Sequence, residues 1–349
     1  MTILFLYTEL ASYFVAGVKE LSQRGHKVHI VRWPVNKEAP FEFDFPEGLK
    51  VYERNDYNSA SLLELAIDIA PDIIVTSGWL DKSYLSVCRH FKGRIPTVMS
   101  MDNHWMGSAR QQVMRLLAPW LLHRCFSHAW VPGRPQKEYA LKLGFKADNI
   151  QTGFYSADVP LFAPEAHYRT QATTFPHRFV YVGRYIEAKG LDLLFKAWVE
   201  LAEERQHDWE LWCVGTGDLF DQRVQHKSIR HLGFLQPAQL KEVLREAGVF
   251  VLPSRFEPWG VVVHEMAAAG FPMVVSDAVG AATQFLQSGS NGFLFRNEDA
   301  NDLKEALRKV MQLSGAELIK MAEASHRLGL SHSPALWADF FNRVVNRAL

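Results

Sequence analysis

The chain has 349 residues, 48% of them apolar and 22% charged. That length exceeds what one hydrophobic core usually supports, so two domains are expected, and the composition excludes a disordered chain. Thirty-eight Lys and Arg residues against thirty-eight Asp and Glu give a formal net charge of zero, which argues against an electrostatic nucleic-acid binder. Three widely spaced cysteines (Cys88, Cys125, Cys213) form no CxxC and are too few for a disulfide framework or a zinc cluster. The opening MTILFLY is strand-like and lacks the basic and apolar regions of a signal peptide. No uncharged apolar run approaches bilayer length. A soluble cytoplasmic enzyme is expected.

Ile3–Tyr7 reads as a first strand, followed by a helix over Tyr13–Arg24 that stops at Gly25. Val28–Trp33, Ile73–Thr76, Thr97–Ser100 and Ala129–Pro132 are further strands, short and rich in β-branched residues, as buried parallel strands are. From Asp158 to Pro176 three prolines and no clear period suggest an irregular interdomain connection. The alternation then restarts. Phe179–Val182, Glu210–Val214, Val249–Leu252 and Met273–Ser276 are expected strands. Leu191–Glu203, Pro237–Glu246, Val261–Ala269 and Ala300–Leu313 are expected helices. Two βα series imply two doubly wound domains, 1–162 and 163–333, with ligands beyond the carboxyl ends of the strands and a site in the cleft between them. Leu336, Trp337, Phe340, Phe341, Val344 and Val345 give a final helix over 334–349; in such a fold class the last helix commonly crosses back to the first domain, and the same is expected here.

The densest chemical signal is SRFEPWGVVVHEMAAAG (254–270). Glu257 falls in the loop after a strand and Glu265 within the next helix, with Pro258 suited to its first turn. Gly260 allows close approach to the backbone, and the free N–H groups of the first turn form an anion site. Two acids beside a phosphate site conflict unless they serve neutral hydroxyls, so a ligand with phosphate and sugar parts resolves the conflict. The bland alternative is that both acids complement the helix dipole. The second signal is VGRYIEAKGL (182–191), where Gly183 ends a strand, Arg184 can bind phosphate bidentately and Lys189 adds a second positive charge. A third is VGTGD (214–218), a turn after a strand in which Gly215 either contacts a nucleotide or shapes the loop beside it. In the first half, TELAS (8–12) and MDNHW (101–105) follow strands, and Asp102 and His104 occupy positions that a sheet would present to the cleft. The fourteen histidines show no metal spacing, and GxSxG is absent.

Together these motifs resemble the GT-B-fold retaining nucleotide-sugar glycosyltransferases of family four. VGRYIEAKGLDLLFKAW (182–198), VGTGDL (214–219) and the segment 253–295 carry the resemblance, the last with the E-x7-E pattern of Glu257 and Glu265. VPGRPQKEYALKLGFKADNIQTGFYSADVPLF (131–162) resembles the end of the family's first domain. The resemblance implies that Arg184 and Lys189 hold the donor diphosphate, with backbone N–H groups of Gly260, Val261 and Val262. It assigns Glu265 to the ribose hydroxyls and Glu257 to the transferred sugar. It also implies catalysis without a metal, a nucleotide-diphosphate sugar as donor and a carbohydrate or lipid-linked acceptor, as in glycan or glycolipid biosynthesis. Two departures stand out. Leu10-Ala11-Ser12 replaces the paired glycines of the first loop, and the family's usual histidine aligns near Asp102, with His104 two residues on. Which of these contacts the donor sugar stays open. A nucleotide-sugar epimerase of the same fold and a non-catalytic nucleotide-sugar binder are the alternatives.

Residues 108–126 place Val113, Met114, Leu117, Trp120 and Leu121 near one helical face, with Arg110, Arg115, His123 and Arg124 around it. A core helix kinked at Pro119 is the simpler expectation. A peripheral helix resting on anionic lipid at the inner face of a membrane is the other.

Overall fold

The computed structural model describes residues 1–8, 10–34, 45–46, 48–204 and 207–348, and Glu9 of the first loop lies outside them. The chain divides into two compact units, Met1–Asp158 with His332–Leu349, and Val159–Ser331.

In the first unit β1 (Thr2–Tyr7), β2 (Lys27–Arg32), β3 (Lys50–Glu53), β4 (Ile73–Ser77), β5 (Thr97–Ser100), β6 (His128–Val131) and β7 (Ile150–Thr152) pair in the order 3-2-1-4-5-6-7. Every pairing is parallel. Between the strands run α1 (Ser12–Gln23), α2 (Ser59–Ile69), α3 (Lys82–Phe91), α4 (Ala109–Leu121) and α5 (Arg134–Lys142). Successive β1 side chains point to opposite faces: Leu4 and Leu6 join one buried cluster, Ile3, Phe5 and Tyr7 the other. A sheet buried on both faces therefore has near-continuous apolar strands, which is why this strand was legible.

The second unit opens with three short helical turns, α6 (Val159–Phe162), a 3-10 turn at Ala163–Ala166, and α7 (His167–Thr170). Then come β8 (Arg178–Val182), α8 (Leu191–Glu204), β9 (Glu210–Val214), β10 (Ile229–Gly233), α9 (Pro237–Glu246), β11 (Val249–Leu252), α10 (Val261–Ala268), β12 (Met273–Ser276), α11 (Ala282–Phe285), β13 (Gly292–Phe295), α12 (Ala300–Met311) and α13 (Gly315–Gly329). The six strands are parallel in the order 10-9-8-11-12-13. Both sheets thus reverse direction once, at β1/β4 and at β8/β11. Such switch points open a crevice at the carboxyl ends of the strands, where open α/β sheets bind ligands.

The final helix, α14 (Pro334–Ala348), belongs to the first unit. Trp337, Phe340, Phe341 and Val344 are buried there. The Phe340 ring stacks parallel on Trp130, and the Trp337 indole N–H donates to the Phe154 carbonyl at 2.8 Å. Leu336 instead faces out, 44% exposed.

The stretch read as an irregular connection is corrected: 159–170 is ordered helix within the second unit. Its anchor is Arg169, fully buried and stacked 3.8 Å over the Phe271 ring. Its guanidinium donates to the carbonyls of Glu165, Leu244, Ala247 and Ala269; Ala247 and Ala269 lie at the ends of α9 and α10, and the Leu244 carbonyl also accepts the Ala247 N–H at 3.3 Å. Burial lowers its pKa to about 9, so it remains charged at neutral pH. Periodicity could not reveal this, because three of the four partners lie 75 to 100 residues downstream. Arg169→Ala leaves buried carbonyls unpartnered, and urea unfolding should report a loss of about 3–5 kcal/mol.

Candidate donor site and first-unit cavity

At the β8/β11 switch point three loops of the second unit converge. The loop after β8 carries Gly183 and Arg184, and the loop after β9 carries Gly215. Gly183 N–H donates to the Val214 carbonyl at 3.0 Å, and Tyr185 N–H to Thr216 at 2.9 Å. Gly215 sits at φ +129°, and a Cβ there would lie 1.9 Å from the Gly183 carbonyl oxygen. Only glycine fits, so loop-to-loop packing accounts for this residue. The buried Tyr181 hydroxyl donates to the Arg184 carbonyl at 2.7 Å, fixing the backbone from which the exposed Arg184 side chain projects. Burial raises the Tyr181 pKa, so it stays a donor.

A 3-10 turn, Glu187–Lys189, brings Lys189 back toward the loop after β11. Arg255 N–H and Phe256 N–H both donate to the Ala188 carbonyl, at 2.9 and 3.2 Å. Lys189 forms an ion pair with Glu257, and the two side chains are only 16% and 14% exposed. Beyond it Gly260 (φ +87°) caps α10, and a Cβ there would come within 2.8 Å of Glu257 Cγ. Pro258 precedes this cap and so lies outside the first helical turn, because α10 begins only at Val261. Val261 and Val262 open the helix with N–H groups that no side chain caps. Glu265 follows Val261 by four residues, hence on the same helix face, and is half-buried. His264 points the other way: it is buried, stacked on Phe285 and bonded to the Gly329 carbonyl at 2.8 Å. An ammonium, a guanidinium and a helix N-terminus can hold an anion, while the two carboxylates can accept from hydroxyls.

In the first unit, Asp102 and His104 follow β5, but they part ways. Asp102 accepts from the Tyr155 hydroxyl at 3.1 Å and lines a cavity of about 760 Å³ beyond β1, β4 and β5. Burial pushes the Tyr155 hydroxyl well above its usual pKa, so it too remains a donor. His104 is absent from that lining; its carbonyl accepts from Gln111 Nε2 at 2.8 Å and burial pushes its imidazole pKa down. Thr8, Ser77 and Trp79 complete much of the cavity wall, with Arg110 and Gln111 from α4. Tyr155 and Trp79 were missed in the sequence. Tyr155 lies 53 residues from its partner, and no local pattern marks either one. Among the described residues no group of three His, Cys, Asp or Glu side chains is placed to hold a metal ion.

Residues 176–312 match the family model described as Glycosyl transferases group 1. An uncharacterised glycosyltransferase of Methanocaldococcus jannaschii is 36% identical over 121 residues, 32% of this chain and 30% of that protein. Glycogen synthase of Mycobacterium tuberculosis is 31% identical over 276 residues, 74% of this chain and 64% of that enzyme. The chain thus spans 30% and 64% of the length of these two curated relatives. The structure of Anabaena HepE in complex with UDP and glucose matches with a TM-score of 0.73 at 16% identity, covering 99% of this chain and 100% of that one. The chain has the GT-B fold. The matched region and these relatives support a glycosyltransferase family.

Gly289 provides a control for the packing at Gly215, since it has φ +83° but nothing within 4 Å of the point a Cβ would occupy. Gly215→Ala should lower the unfolding free energy by at least about 2 kcal/mol more than Gly289→Ala. Equal losses in parallel urea titrations would show that the two loops do not need that contact.

Proposed function

We propose that the chain transfers a sugar from a nucleotide-diphosphate sugar to an acceptor hydroxyl, with retention at the anomeric carbon and without a metal. The observation that carries this reading is the half-buried Lys189–Glu257 pair beside the open N-terminus of α10. Taking two charges out of water is unfavourable unless each is compensated. In this structure they compensate each other. A donor would replace that pairing: its diphosphate takes Lys189, Arg184 and the N–H groups of Gly260, Val261 and Val262, and its sugar hydroxyls take Glu257. Glu265, one turn into α10, would accept from the ribose hydroxyls.

As the bond to the anomeric carbon breaks, negative charge grows on the leaving diphosphate. Fixed positive charge and helix N–H groups stabilise that charge without reorganising. No side chain of the site is assigned as a covalent nucleophile. In the first unit the cavity at Asp102 is the candidate acceptor subsite, with Tyr155 and Trp79 in its wall. The HepE complex with UDP makes UDP-sugars the first donors to test.

A thermal-shift panel of UDP-, GDP- and ADP-sugars identifies the donor, since a ligand well above its Kd stabilises the fold. With that donor, Glu265→Ala and Lys189→Ala should each weaken binding by about 1.5–3 kcal/mol, roughly ten- to a hundredfold. Glu257→Ala should mainly lower turnover, and transfer should persist in excess chelator. Unchanged donor affinity and turnover in an Arg184→Ala/Lys189→Ala double variant would overturn the diphosphate assignment.

A further inference from the structure

Helix α4 corrects the simpler sequence expectation of a core helix. Its apolar residues Val113, Leu116, Leu117, Trp120 and Leu121 recur at i, i+3, i+4, i+7 and i+8, and are 53, 67, 41, 60 and 48% exposed. Ala118 alone is fully buried within the helix. Met114, grouped with the stripe by sequence, turns inward against the core and lines the cavity, while Leu116 takes a place in the stripe. A one-sided apolar stripe facing solvent over about two and a half turns exceeds what scattered surface residues produce and marks a contact surface.

Charge identifies what that surface meets. The whole chain is neutral, yet between Lys82 and Lys137 the sequence holds nine Lys and Arg residues and a single acid, Asp102. Arg115 and Arg124 are exposed on and just after α4. Arg115 also borders a shallow hollow with Glu138, Leu141 and Lys142 of α5, so two cations and one carboxylate meet there, and Leu141 is itself 44% exposed. Arg89 and Lys92, at the end of α3, act on the Cys125 thiol just past α4. An apolar strip set in a field of cations, with no carboxylate on its helix, complements an anionic lipid surface. No helix of the described residues is long and apolar enough to cross a membrane.

The same helix faces the cavity on its other side, through Arg110, Gln111 and Met114. We infer that α4 lies on an anionic bilayer and that the acceptor is amphiphilic, its polar head in the Asp102 cavity and its hydrocarbon part in the lipid beside α4. The second half of this inference rests on the acceptor reading above; the bilayer contact does not.

Vesicle flotation of the full chain tests it, using phosphatidylcholine vesicles with and without phosphatidylglycerol, at low and high salt. Binding should require the anionic lipid and weaken with salt. Leu116→Glu/Trp120→Glu and Arg115→Glu/Arg124→Glu should each reduce the bound fraction at least about tenfold. All four positions are solvent-exposed and outside the cavity wall, so melting and UDP-sugar binding should stay as in the parent protein. Absence of flotation at low salt, or flotation indifferent to both variants, overturns the inference. So does a dimer that Leu116→Glu/Trp120→Glu dissociates while vesicles remain unbound, since a second copy would then own the stripe. UDP-sugar binding without flotation overturns this inference and leaves the proposed function standing. Flotation without any nucleotide-sugar binding removes the proposed function and leaves the bilayer contact standing.

Discussion

The Lys189–Glu257 ion pair is the constraint around which the second unit's site is arranged. Neither side chain reaches bulk water well, so each needs the other or a ligand group in its place. The surroundings enforce the meeting. The Ala188 carbonyl holds the backbone of Arg255 and Phe256, and Gly260 leaves the space that Glu257 occupies. The parallel order 10-9-8-11-12-13 is what makes these loops neighbours, because β8 and β11 pair while their connections leave to opposite sides. On the proposed reading, the same pair serves as the resting state of a diphosphate and sugar site. Binding then exchanges one set of charge partners for another, and no charge is stranded in either state.

The first unit repeats the topology with a different lining. Among the described residues its lining holds one carboxylate, Asp102, oriented by Tyr155, among aromatic and hydroxyl groups, with Arg110 of α4 in the wall. A carboxylate among hydroxyl donors suits a hydroxyl-bearing ligand, the role that the proposed function gives this cavity. Helix α14 makes the unit depend on the chain's last residues, since Trp130 of β6 finds its parallel stacking partner in Phe340.

The sequence made the central strands and the candidate site loops legible for the same reason. Buried parallel strands such as β1, β11 and β12 are uninterrupted apolar runs, and chemistry placed just past their ends stands out against them. Arg184, Lys189, Glu257 and Glu265 were singled out as candidate site residues in this way. The edge strands β3, β7, β10 and β13 were not, being three to five residues long and half-polar or half-exposed. What escaped in the sites was long-range. Nothing near Asp102 announces Tyr155, and nothing near Arg169 announces the carbonyls of Leu244, Ala247 and Ala269. The α4 stripe was visible as a pattern, but a helical apolar face reads alike whether it meets a core or solvent; only the tertiary structure tells which.

The central claim is that Lys189 is held by Glu257 until a diphosphate takes it. A double-mutant cycle on UDP affinity, measured by calorimetry without any sugar, isolates that competition. Glu257→Gln should tighten UDP binding by releasing Lys189, Lys189→Met should weaken it, and the double variant should match Lys189→Met alone. A Glu257→Gln effect that is absent, or that persists undiminished in the Lys189→Met background, would contradict the account.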